Sequence, residues 1–245
     1  MSKKDYDVII IGAGPTGIFT ALEFIKKEAE LDILILEKGN DLEKRICPMK
    51  ENPGSGCVHC DSCAIVSGWG GAGAYSDGKL SLSPDIGGNL ENYIGRQALK
   101  DNILYADDIY MEFGAPDRIY GVTEEKQDEI RKKAVKAELK FIPARLRHLG
   151  TGYSQVVLQN MQDYIEEHGV EIRFGVNVKK FIVENEKIEG VKTADGEVIT
   201  ADYVMAAAGR ENAEWLTGEA QKLDIDTAIN PVDIGVRVEC PAAVT

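Results

Sequence analysis

The 245-residue sequence predicts an α/β fold: a doubly wound parallel sheet into which a β-meander and a helical insertion are set. Three observations carry this. An unbroken apolar run, Val8-Ile9-Ile10-Ile11, leads straight into Gly12-x-Gly14-x-x-Gly17 and then into helical spacing. A second apolar run, Ile33 to Leu36, closes on Glu37, twenty positions after Gly17. Farther on, Val170 to Ile199 alternates as strands separated by turns where a crossover helix would otherwise stand.

The first strand, Val8 to Ile11, has no polar member, as expected for a strand covered on both faces. Each glycine after it has its own mechanical reason. Gly12 permits the tight turn off the strand, Gly14 lets the backbone approach a pyrophosphate, and Gly17 lets helix and strand pack closely. The helix starts at Pro15, which loses no hydrogen bond in the first turn, and Ile18, Ala21, Leu22 and Ile25 share its inner face. Its free N–H groups and dipole suit a diphosphate. Glu37, at the end of the second strand, would accept bonds from a ribose and repel a 2'-phosphate, so this βαβ unit is expected to hold FAD or NAD rather than NADP.

A polar stretch then leads into a cysteine-rich loop, Cys47 to Cys63, and a glycine-rich loop, Gly68 to Gly73, neither of which reads as regular structure. Helical spacing runs from Leu90 to Phe113 and stops at Gly114, with Pro116 beyond it. Another helix opens at Thr123, with Glu124 and Glu125 in its first turn and Arg131, Lys132 and Lys133 farther along, a distribution that suits the helix dipole. The doubly wound pattern resumes at Tyr153, where Val157, Met161, Tyr164, Ile165 and His168 share one helical face before Gly169 caps it. Val170, Ile172 and Phe174 alternate as a strand. Three short strands follow (Val176 to Val183, Ile188 to Thr193, Glu197 to Ile199), with turns at Asn185-Glu186 and Asp195-Gly196. The chain returns to the core at Tyr203 to Ala208, ends that strand at Gly209-Arg210, forms a short helix over Ala213 to Gly218, and begins a last strand at Ile234 to Val238.

The expected organisation is a dinucleotide-binding domain in two parts: residues 1–63 with the cysteine loop, and 151–230 with the meander. Residues 64–150 form the glycine-loop and helical insertion between them, and 231–245 open a substrate domain, so the chain reads as the N-terminal portion of a longer, truncated protein. A balance of 28 basic against 41 acidic residues, with no basic stripe, argues against nucleic acid and anionic membrane as partners. A small-molecule substrate or redox partner is expected instead. No run approaches transmembrane length and the first apolar run is too short for a signal peptide, so the expected location is cytoplasmic.

Several motifs go further. Arg45-Ile46-Cys47-Pro48, Cys57-x-x-Cys60-x-x-Cys63, the run Gly70 to Leu80, Arg147-His148-Leu149-Gly150-Thr151 and Asp233-Ile234-Gly235-Val236-Arg237 resemble, across essentially the whole chain, the bacterial family of uncharacterised FAD-dependent dehydrogenases. That family has the glutathione-reductase-like FAD/NAD(P)-binding flavoprotein fold, a Rossmann-like domain of the FAD type. The resemblance implies that the βαβ unit holds the AMP half of FAD through Gly12, Gly14, Pro15, Gly17, Glu37 and Lys38. It implies that Val178, Ala208 and Gly209 complete the pocket, and that Gly71, Gly73 and Ser76, with Arg45 upstream, belong to the flavin side.

The cysteines allow three chemistries. Cys57, Cys60 and Cys63, with Cys47 as a fourth thiolate, can hold a 4Fe-4S cluster or a zinc ion, His59 replacing one sulfur in the second case; adjacent thiols can instead stay free or cycle with a disulfide beside the flavin. Cys240 has no neighbour and reads as an ordinary thiol. His168, beside the capping Gly169, suits the helix dipole. His148, ahead of a helix N-terminus, can meet a flavin or a substrate anion or simply bond its loop. Asp77 and Lys79 flank Gly78; Lys79 can stabilise the negative charge of a reduced flavin, or both can sit in an exposed turn. These three are the catalytic candidates. With no Ser-His-Asp set, Walker loop or HExxH helix and no second GxGxxG, the expected function is an FAD-dependent oxidoreductase, a dehydrogenase or reductase. The alternatives are an NAD-binding dehydrogenase and a non-catalytic FAD- or metal-binding module.

Overall fold

A computed structural model describes residues 3–52, 54, 56–121, 123–229, 234–236, 239 and 241. Strand β1 (Tyr6–Ile11) runs into helix α1 (Pro15–Lys26), and β2 (Ile33–Glu37) returns parallel beside β1, with Val8 opposite Ile33 and Ile11 opposite Leu36. Because alternate residues of a strand point to opposite faces, the all-apolar run of β1 needs two cores, and both are present. Val8 and Ile10 pack under α1 through Ile18, Ala21 and Leu22; Ile9 and Ile11 pack with Leu34, Leu36, Val178, Val191 and Ile199 on the other side.

After β2 the chain makes a single helical turn, α2 (Pro48–Glu51), passes the cysteine and glycine loops, and enters the insertion through β3 (Lys79–Ser81). Helical spacing over Leu90 to Phe113 is broken in two, α3 (Glu91–Ile94) and α4 (Arg96–Glu112), because Gly95 takes φ +80° between them. Strand β4 (Ile119–Tyr120), helix α5 (Glu124–Lys136) and strand β5 (Leu146–His148) complete the insertion. It is therefore not only helices and loops: β3, β5 and β4 pair antiparallel as a separate three-stranded sheet. Strands of two or three residues are too short to show a period, which is why the sequence pattern misses them.

Helix α6 (Thr151–Glu167) covers the α1 side of the sheet with Val157, Met161 and Ile165, and ends before Gly169, which takes φ +84°. Strand β6 (Glu171–Phe174) pairs with β2, and the meander follows as β7 (Val178–Glu184), β8 (Lys187–Thr193) and β9 (Val198–Ala206), then α7 (Ala213–Lys222). The order across the six-stranded sheet is β6-β2-β1-β9-β8-β7. The third meander strand and the core-return strand are one element, not two: β9 pairs antiparallel with β8 through Val198–Thr200 and parallel with β1 from Ala201 to Ala206. No glycine, proline or asparagine separates Ile199 from Tyr203, so nothing there forces the strand to break.

The last strand expected from the sequence lies partly outside the described residues, which omit Asp233, Arg237, Val238 and Cys240; Ile234 to Val236 are not in a strand, and Ile234 and Val236 are exposed. Among the described residues no helix is long and apolar enough to cross a membrane.

Candidate functional site

The sheet reverses its order at β1, with β2 on one side and β9 on the other. In open α/β sheets that reversal leaves a crevice beyond the carboxyl ends of the strands. Here the crevice is a cleft of about 540 Å³ lined by Gly12, Gly14 and Pro15 from the βα turn, Glu37 and Lys38 from β2, and Ala208 and Gly209 beyond β9. Gly71, Gly73, Ser76 and Val178 also line it. Eleven of the thirteen residues expected to bind the cofactor therefore meet in one place, the exceptions being Gly17 and Arg45.

The three fingerprint glycines divide by function. A Cβ on Gly12 would lie 2.4 Å from the Ala207 carbonyl oxygen, and one on Gly17 would lie 2.0 Å from the Gly12 carbonyl oxygen, so both are needed for packing. A Cβ on Gly14 would meet nothing within 4 Å. Gly14 is the N-cap of α1 and makes no side-chain cap, and with Pro15 it brings the start of the helix to the cleft. Gly17 does not line the cleft; it holds helix against turn.

Glu37 is buried, and its carboxylate is bound by the protein itself. The N–H of Ala13 donates to Oε2 at 2.7 Å, and those of Gly39 and Gly68 donate to Oε1 at 2.7 and 2.9 Å. One side chain thus ties the fingerprint turn, the β2 exit and the glycine loop together. Oε2 keeps a lone pair for a ribose hydroxyl.

Arg45 is a correction to the sequence expectation. Its guanidinium lies behind the cleft wall and donates to four backbone carbonyls: Nε to Ala64 at 2.9 Å, Nη1 to Trp69 at 2.6 Å and Gly71 at 2.9 Å, and Nη2 to Ile65 at 3.1 Å. The Tyr75 hydroxyl donates to the Arg45 carbonyl oxygen at 2.5 Å and its ring lies 4.8 Å from the guanidinium carbon. Burial lowers the arginine pKa from its usual value, an effect countered by Tyr75 and Glu37. Arg45 shapes the glycine loop and does not reach the cofactor space. Trp69, fully buried, anchors the same loop from the other side by donating Nε1–H to the Leu158 carbonyl oxygen at 2.7 Å.

The cysteines are a second correction. Among the described residues no group of three or more His, Cys, Asp or Glu side chains is placed to hold a metal ion. Cys57 and Cys60 are exposed and Cys47 and Cys63 half-buried, all as free thiols. Cys63 begins the tight turn into the cleft wall, its carbonyl oxygen accepting from the N–H groups of Val66 and Ser67 at 2.9 and 2.8 Å, whereas α2 leads away from Cys47 and Cys57 and Cys60 lie on the open stretch. Spacing alone does not make the four sulfurs converge.

Asp77, Lys79 and His148 come together, but outside the cleft. Lys79 and His148 are opposite each other on β3 and β5, and Lys79 Nζ lies 2.6 Å from Asp77 Oδ2. That ammonium holds the Asp77 carboxyl below its usual pKa. His168 closes α6, its Nδ1 lying 2.7 Å from the Tyr164 carbonyl oxygen, in keeping with a helix-end role. The sequence reading missed Ser67, Asn177, Arg210, Glu211 and Trp215, all of which line the cleft. Lys38 pairs with Glu211 at 3.2 Å across its mouth. Arg210 follows the strand-end glycine directly, which was the available signal.

The family of pyridine nucleotide-disulphide oxidoreductases matches residues 130–242. An uncharacterised protein of Clostridium beijerinckii is 27% identical over 237 residues, 95% of this chain and 36% of that protein. The mitochondrial L-2-hydroxyglutarate dehydrogenase of Dictyostelium discoideum is 41% identical over 59 residues, 24% of this chain and 12% of that enzyme. Among solved structures, L-amino acid deaminase from Proteus vulgaris superposes with a TM-score of 0.51 at 17% identity, over 91% of this chain and 51% of that one. Glycine oxidase from Geobacillus kaustophilus gives 0.51 at 14% identity, over 89% and 59%. The chain spans about a third of the Clostridium protein and somewhat over half of each of these structures. With the strand order, the glycine turn and the meander in place, the chain has the Rossmann-like α/β fold that these oxidoreductase structures share.

Proposed function

We propose that this chain is the dinucleotide-binding part of an FAD-dependent oxidoreductase that acts on a small organic substrate. One observation carries the reading: the start of α1, at Gly14 and Pro15, borders a cleft at the sheet's reversal point, and Gly14, unlike the other two glycines of the motif, has empty space where a side chain would be. That space is what a diphosphate needs at a helix N-terminus. The residues present fit FAD. Gly14 and the N-terminal N–H groups of α1 would hold the diphosphate, the spare lone pair of Glu37 Oε2 would take a ribose hydroxyl, and the loop from Gly71 to Ser76, which approaches Gly14 at Gly71, would border the ring.

When bound, the flavin supplies hydride- or electron-transfer chemistry. The chain's own part is to bind and orient: Glu37 keeps three loops in register, and Arg45 and Trp69 fix the glycine loop that would lie against the ring. Free thiols suit a reducing compartment, which supports a cytoplasmic location.

The test separates folding from binding. Gly14 has φ −78°, which any residue tolerates, so Gly14→Glu should fold as the parent does and put a carboxylate where the diphosphate belongs. The expected result is an unchanged circular dichroism spectrum with loss of the flavin bands that the parent shows after dialysis against FAD. Retention of flavin by Gly14→Glu, or a parent that takes up NAD but no FAD, refutes the assignment.

A further inference from the structure

Beyond the cleft, the small antiparallel sheet presents an outer face that no step above uses. Lys79 and His148 are directly opposed, so their side chains leave the sheet on the same side. Leu146 shares that side with His148, two residues away, and is opposite Tyr120 of β4, which places the Tyr120 ring there too. The rings of Tyr120 and His148 meet edge to face, centroids 6.2 Å apart, and the guanidinium of Arg118 lies 4.5 Å from the Tyr120 centroid. In a chain with a net charge of −13, this face carries a guanidinium and an imidazole against one aromatic ring, with the Lys79 ammonium on the strand opposite the imidazole.

The inner side explains why the face is held firmly. Arg147, between Leu146 and His148, points inward and is 1% exposed. Its Nε and Nη2 donate to the two carboxylate oxygens of Asp107 on α4 at 2.6 and 2.7 Å, and Nη1 donates to the Pro116 carbonyl oxygen at 2.5 Å. A bidentate, buried pair of this kind fixes the strand beneath the exposed side chains.

The face also adjoins the cleft. Ser76 lines the cleft, and Gly78 makes the step from it to β3 in a conformation with φ +65°, where a Cβ would stand 2.3 Å from Ser154 Oγ. The Leu149 N–H donates to the Gly78 carbonyl oxygen at 2.7 Å, joining this step to the residue after His148. Among the described residues Lys79 pairs with Asp77, the two side chains being 54% and 60% exposed. Exposed pairs like this contribute little, so a ligand oxyanion can replace Asp77.

We propose that the outer face of β3, β5 and β4 binds the oxyanion of a small planar organic substrate. Lys79 takes the charge, the His148 ring donates a hydrogen bond, and Arg118 and Tyr120 hold the flat body of the molecule. The placement beside the redox ring rests on the FAD reading above; the anion site itself does not. A carboxylate and a phosphate ester share this chemistry, and the probes tell them apart.

The experiment titrates the FAD-loaded protein with benzoate, phenyl phosphate and neutral benzamide, following heat by calorimetry and, separately, the visible flavin bands. One of the two anions should bind about fivefold more tightly than benzamide, and Lys79→Met and Arg118→Met should each weaken it by about threefold to fivefold, the scale of an exposed charge pair. The tighter anion names the substrate's acid group. Equal binding of benzamide, unchanged affinity in both variants, or no binding of any probe overturns the proposal. Heat without any change in the flavin bands overturns the placement beside the ring. Anion binding by a protein that takes up no FAD overturns the cofactor reading and leaves the anion site standing.

Discussion

Replacing Glu37 with glutamine tests whether this residue is first a tie between loops and only second a ligand for ribose. The side chains are nearly the same size, so packing is preserved. What changes is that one carboxylate oxygen becomes an NH2 group, which cannot accept. If the remaining oxygen faces the N–H groups of Gly39 and Gly68, the amide NH2 confronts the N–H of Ala13, 2.7 Å from the present Oε2. The buried Ala13 donor then loses its partner, which costs about 1–3 kcal/mol, and the two surviving bonds lose their charge assistance, about 1 kcal/mol more. A loss of about 3 kcal/mol is expected in urea unfolding of the flavin-free protein, seen as a lower midpoint with an unchanged slope. The assay without flavin is the informative one, because a residue that only held ribose would leave it unaffected. A flavin-free midpoint equal to the parent's, with weaker FAD binding alone, would refute the loop-tie argument and restore the simpler reading of Glu37.

Two further outcomes follow from the packing. Gly17→Ala puts a methyl carbon 2.0 Å from the Gly12 carbonyl oxygen, so the helix must move away from the turn; a loss of about 2 kcal/mol in stability, net of alanine's better helix propensity, should accompany weaker FAD retention. Asp107→Ala strands the buried guanidinium of Arg147 and should cost about 3–5 kcal/mol, while the paired change Asp107→Leu with Arg147→Met should recover most of it; a double variant no more stable than Asp107→Ala would show that the loss does not come from the stranded charge.

The parts of the fold that follow from neighbouring residues were legible in advance. Four apolar residues ending on a glycine turn produced β1, Pro15 marked the first turn of α1, Glu37 closed β2, and the alternation from Val178 onward produced the meander. Each depends on sterics or periodicity within a few positions. The same local rules placed Gly12, Gly14 and Glu37 at the cleft, and the family resemblance added Gly71 and Gly209. They also misread two places. A continuous β9 was divided into two strands, because its change of partner from β8 to β1 leaves no local mark, and the helix before Gly114 was drawn without the break that Gly95 imposes.

Only the tertiary structure decided what the polar side chains do. Glu37 is bound by the N–H of Gly68, thirty-one residues away, and Arg45 by carbonyls from Ala64 to Gly71, so two residues expected at the cofactor hold the walls of its cleft, one of them from behind. The four cysteines have the spacing of metal sites, yet among the described residues no three of them are grouped to hold a metal ion. Lys79 and His148, sixty-nine residues apart, stand opposite each other on a sheet whose strands are too short to announce themselves. Backbone conformation answers to steric limits carried by each residue and its neighbours, whereas a carboxylate, a guanidinium or a thiol takes whatever partner the folded chain brings within about 3 Å, and that partner is chosen by the packing of distant segments.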